Sequence, residues 1–138
     1  MEYTHSEGPW VETAVKLVIR KSDLDADLVS RSIPLDPTTV QLPGIDPLNP
    51  GSVRDGLWIV QVHGRMPGGI SDQLDTLLSK VEPHAHVLSQ LASQGYEIHI
   101  DISGFVGRGA TFTLPPDVVR RSAALGLPVT ISTSVSDR

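Results

Sequence analysis

Residues 96–103 read YEIHIDIS, with isoleucine at 98, 100 and 102 and Glu97, His99, Asp101 and Ser103 in alternation. Strict alternation of apolar and polar side chains, rich in β-branched residues, predicts a strand that buries one face and leaves the other polar. Gly95 closes what precedes it and Gly104 is expected to end it.

Working outward, Val11–Arg20 reads as a first strand, with Val11, Thr13, Val15, Leu17 and Ile19 on one face. Val18 breaks the polar character of the other face, so part of that face is expected to be covered. Residues 1–10 read as a flexible arm with Trp10 at its end. Ser22-Asp23-Leu24-Asp25 resembles a capping box that opens a short helix to about Ser32. Leu57–His63 alternates again, and Trp58, Val60 and Val62 are expected inward. Leu74, Leu77, Leu78 and Val81 recur at helical spacing after Ser71, a good N-cap, and Ala85, Leu88 and Ala92 extend the stripe. Pro83 has no amide to donate and clashes with the preceding turn, which predicts two helices or one kinked helix over 71–94. A short edge strand is expected near Ala110–Leu114. Pro115-Pro116-Asp117 starts a further helix that Gly126 stops, and Leu127–Val135 closes the chain as a strand.

Between these elements lies residues 33–56, carrying Pro34, Pro37, Pro43, Pro47 and Pro50. The segment reads as one long proline-rich loop. It is too apolar for a free linker, and Leu42, Ile45 and Leu48 are its candidate partner-facing residues.

Strands alternating with helices predict an α/β (α+β) two-layer sandwich: a four-stranded, mixed sheet with helices on one face, spanning 11–136 as a single domain. Ferredoxin-like topology is the nearest common comparison. The 138 residues suffice for one core, and 39% hydrophobic content excludes wholesale disorder. A net charge of −5 argues against a nucleic-acid partner, which would need a basic footprint. No apolar run is long enough for a membrane span, so no membrane partner is expected. The absence of cysteine removes thiolate chemistry and fits a cytoplasmic location.

The first strand leading into Ser22-Asp23-Leu24, the Pro/Gly segment near Ile33–Gly51, Gly56-Leu57-Trp58, the leucine-rich middle helices and the closing LPPDVVRRSAALGLPVTIS together resemble a bacterial family, domain-of-unknown-function family 4279. The resemblance runs from about Thr13 to Thr133. It implies a small bacterial α/β domain and brings no catalytic residues with it; a role in toxin immunity is an association of such orphan domains.

Several residues invite chemistry. His99 and Asp101 share a strand face, and His63 would join them if strands 57–63 and 96–103 were neighbours, a set that zinc accepts. The same trio could hold a small molecule, with Arg65 alongside, or act as a general base and its orienter. Against this, a polar sheet face commonly carries such residues, and no G-x-S-x-G elbow is present. The turn GRMPGG at 64–69 lacks the ending of a P-loop, and GFVG at 104–107 has apolar residues where an RNA-binding KH loop is polar. His84 and His86 diverge on a helix. Asp23, Asp25 and Asp27 fail as a calcium loop, because Leu28 stands where glycine is needed. The residues therefore lead to a non-catalytic interaction domain without a cofactor, binding a protein partner or itself as a homo-oligomer. The alternative is a small-molecule or metal-binding site, with or without catalysis, on the open sheet face.

Overall fold

The computed structural model describes residues 10–62, 69–106 and 113–135. The isoleucine strand is β6 (Glu97–Val106), and β1 (Trp10–Lys21) pairs with it antiparallel along nearly its whole length. On its other side β1 pairs antiparallel with β5 (Gly56–Val62). The outer strands are β2 (Thr39–Gln41), antiparallel to β5, and β7 (Val129–Val135), parallel to β6. The result is a mixed five-stranded sheet in the order β2-β5-β1-β6-β7. The expected count of four becomes five, and the parallel β6–β7 edge does not reproduce the ferredoxin-like comparison.

Alternation decides the core. Val15, Leu17 and Ile19 of β1, Trp58, Val60 and Val62 of β5, and Ile98, Ile100 and Ile102 of β6 all point to one side and are buried. Helices cover that side: α1 (Ala26–Ser32), α2 (Gly69–Val81), α3 (Ala85–Ser93) and α4 (Pro116–Ala124). From α2 come Ile70, Leu74, Leu77, Leu78 and Val81, the stripe expected from its spacing. A 3-10 turn, Glu82–His84, separates α2 from α3 at Pro83. On α3 the stripe differs from expectation: Leu88 and Leu91 are buried, whereas Ala85 and Ala92 are exposed. The larger leucines take the contact that the alanines were assigned.

Helix ends moved as well. Asp25, not Ser22, caps α1, its carboxylate accepting from the Leu28 amide at 3.1 Å. Asp23 is drawn off to pair with Lys21. Ser71 falls inside α2, which begins at Gly69. Gly126 does stop α4, with φ +71°, and its amide donates to the Ala123 carbonyl at 2.9 Å. Rather than ending at Gly104, β6 continues through it, paired with Thr13 on one side and Thr133 on the other.

The largest correction concerns residues 33–56. Ile33 is buried and Leu35 packs on the core, and β2 then joins the sheet edge. A two-stranded hairpin follows, β3 (Gly44–Asp46) with β4 (Asn49–Arg54). Pro43 and Pro47 lie outside the paired residues, and Pro50 sits in a strand of an isolated ribbon, where a missing amide is tolerated. Gly56 returns the chain to the sheet. A Cβ there would stand 2.6 Å from the Leu24 Cβ and 3.0 Å from Pro43, so only glycine fits the junction.

Two further polar contacts, one between the layers and one within the helix layer, were not visible in the sequence. Gln73 of α2, buried, accepts from the Thr13 hydroxyl at 3.1 Å. Arg121 of α4 reaches α2 and the turn after it, donating to Asp75 at 2.5 Å and to both Glu82 oxygens at 2.8 and 3.0 Å. Its fork holds the Glu82 carboxyl below the usual glutamate range, hydrogen bonding being the leading cause.

Candidate functional site

The face opposite the helices is open. Its pattern follows from the register: Lys16 lies between Gln61 and Asp101, Val18 between Ile59 and His99, and Arg20 between Leu57 and Glu97. Thr130 adjoins Asp101 and Ser132 adjoins Ser103. Val18 is only 8% exposed here, so the covered patch expected from the first strand exists, with Ile59 and half-buried His99 beside it. His99 and Asp101 do share this face, in consecutive rows. His63 and Arg65 lie outside the described residues.

Among the described residues, Lys16, His99 and Asp101 make no side-chain hydrogen bond or ion pair. No group of three His, Asp or Glu among those residues is placed to hold a metal. His84 belongs to the 3-10 turn, and exposed His86 shares a 3.2 Å hydrogen bond with Gln90 on its own helix.

At one end of this face Arg20 donates to Asp55 at 2.7 Å, a contact that raises the guanidinium pKa chiefly through that hydrogen bond. Two shallow depressions flank the pair. One, of about 390 Å³, adds Lys21 and Glu97; the other, of about 440 Å³, adds Gln41 and Arg54. Charges of both signs line them and neutralise one another locally, which suits neither an anion nor a cation alone.

The β3–β4 hairpin is different in kind. Ile45 and Val53 are register partners, so they share one face of the ribbon. Leu48 sits in the turn, where the Asp46 carboxylate accepts its amide at 2.9 Å. This Asx turn pins the tip in place. Leu42, on the approach to the hairpin, accepts from the Arg54 guanidinium at 3.2 Å through its carbonyl. Exposure reaches 61% at Leu42, 69% at Ile45, 94% at Leu48 and 80% at Val53. Of the three residues singled out from the sequence, Ile45 and Leu48 lie on the hairpin and Leu42 on the approach to it; exposed Val53 is a further apolar residue of the hairpin. Its place beside Ile45, across the turn at Pro47-Leu48, follows only from the pairing of β3 with β4.

This is a mixed five-stranded α+β sheet protein with one helix-covered face and an apolar ribbon at its edge. The chain belongs to the family described as Domain of unknown function (DUF4279), whose model matches residues 11–136. No curated protein and no solved structure gives a match to it. No helix among the described residues is long and apolar enough to cross a membrane.

Proposed function

We propose that the protein is a small, non-catalytic bacterial interaction domain of the cytoplasm, which binds a protein partner through the β3–β4 hairpin. The observation that carries this reading is Leu48, almost wholly exposed at the tip of a ribbon held by an Asx turn. A single exposed leucine means little, but Ile45, Leu48 and Val53 on one hairpin, with Leu42 on its approach, offer an apolar surface of the kind that partners bury. Hydrophobic burial near 25 cal/mol per Å² gives such a ribbon a reason to dock, and its hydrogen-bonded turn limits the ordering cost.

The test is local, because Ile33, Leu35 and β2 belong to the body and their deletion would damage the fold. Ile45→Lys/Leu48→Lys should leave the far-UV circular dichroism and melting temperature of the protein unchanged. It should abolish co-purification of the partner and, with that partner purified, direct binding by calorimetry. Full binding by the double variant would move the interaction off the hairpin.

A second reading places a ligand on the open face, and Lys16, His99 and Asp101, whose side chains have no partner among the described residues, favour it. The interaction reading expects stoichiometric zinc near neutral pH to leave the melting temperature where it was, since a ligand raises it only by preferring the folded state. A zinc-dependent rise that disappears in His99→Ala would transfer the function to that face.

A further inference from the structure

The outer edge of β7 is the longest unpaired stretch of sheet backbone among the described residues. Natural edge strands are usually blunted by charge, proline, a bulge or a covering element. Here Leu127–Val135 reads LPVTISTSV, with no charged residue and its only proline ahead of the strand. The opposite edge, β2, offers only the three residues Thr39–Gln41.

Which groups face outward follows from one bond. The Ile100 amide donates to the Pro128 carbonyl at 2.9 Å, so Pro128 faces β6. Backbone groups alternate along a strand, and the amides and carbonyls of Thr130 and Ser132 therefore also face β6. Those of Val129, Ile131, Thr133 and Val135 point away from the sheet.

The apolar layer is also cut short at this edge. Ile131 stands beside Ile102 in register and on the same side of the sheet. Ile102 is fully buried, whereas Ile131 is 49% exposed. Val129 still packs on the core, but at Ile131 the helix layer no longer covers β7, which leaves an apolar shelf next to the unpaired backbone.

We propose that β7 pairs antiparallel with β7 of a second copy, about a twofold axis perpendicular to the sheet near Ser132, to form one continuous ten-stranded sheet. The occupant is specified by self-complementarity. A twofold axis places each outward group against an outward group: Val129 opposite the partner's Val135, and Ile131 opposite the partner's Thr133. Every outward amide and carbonyl of the strand then has a partner. On the open face Ser132 meets its own counterpart, and hydroxyl pairs of this type are favourable across strands. On the helix side the two Ile131 shelves adjoin. An uncharged strand makes self-pairing free of the like-charge repulsion that a lysine or glutamate would impose on itself. This surface is separate from the hairpin, so the dimer and the partner site stand or fall independently.

Sedimentation equilibrium of the full chain should give twice the 14.8 kDa chain mass. Ile131→Lys puts two ammonium groups near the axis, and Thr133→Pro removes an outward amide without touching the β6 ladder. Both should sediment as monomers with unchanged circular dichroism, while Leu48→Lys remains a dimer. Hydrogen exchange on the unaltered protein supplies a reading that needs no variant: the Ile131 and Thr133 amides should be protected at high concentration and lose protection on dilution. A monomeric native chain, a dimer that survives both β7 variants, or a dimer broken by Leu48→Lys would each overturn the proposal.

Discussion

Ile100→Asp should leave no folded protein at room temperature, whereas His99→Ala, one residue away, should cost about 1 kcal/mol or less. Ile100 is fully buried, with Leu17 and Val129 beside it in the sheet. A carboxylate there has no cation in reach among the buried neighbours, and transfer of even a neutral polar group without a partner costs about 2–7 kcal/mol. Loss of isoleucine packing adds roughly 2–5 kcal/mol. Against a typical total stability of about 5–15 kcal/mol, the sum removes most or all of it. His99 faces the other way, half-buried next to Val18, and its side chain makes no hydrogen bond among the described residues. Urea melts of the two variants give the comparison directly. Similar midpoints would mean that the faces of β6 are assigned the wrong way round.

Trp58→Ala should be the most damaging truncation to alanine, at about 3–5 kcal/mol. The indole is fully buried between Ile19 and Val40 in the sheet, and its Nε1 donates to the Ser30 hydroxyl of α1 at 3.0 Å. It therefore joins α1 to the sheet by packing and by a hydrogen bond together. Ser30→Ala separates the two contributions. It removes the acceptor near the surface and should cost about 1 kcal/mol, the ordinary net worth of one hydrogen bond. Equal losses from Trp58→Ala and Ser30→Ala in guanidinium melts would show that the bond, not the packing, holds α1.

The remaining predictions separate three surfaces by substitutions that do not overlap. The hairpin is read by Ile45 and Leu48, the open face by His99, and the β7 edge by Ile131 and Thr133. Each readout also differs: partner binding, zinc-dependent melting and mass.

The faces of β1, β5 and β6, the leucine stripe of α2, the break at Pro83 and the Gly126 stop were all legible from residue order. Each depends on contacts within a few residues, where a period of 2 or 3.6 states which side chains are buried. Leu42, Ile45 and Leu48 stand out in the sequence as apolar residues among five prolines, but that they are exposed was decided only by the folded chain. Other features needed the tertiary structure. Alternation says which face of a strand is buried but not which strand lies beside it, so the central place of β1 and the rows Gln61-Lys16-Asp101 and Ile59-Val18-His99 could not be read. The ribbon within 33–56 was missed because its strands are short and pair only with each other, leaving no buried face to impose a pattern. Arg120-Arg121 is an adjacent basic pair in the sequence, and only folding brings Asp75 and Glu82, some forty residues earlier, onto the Arg121 guanidinium. The open edge of β7 likewise belongs to the assembled sheet: VTISTSV is an unremarkable strand until the order of its neighbours leaves one side of its backbone without a partner among the described residues.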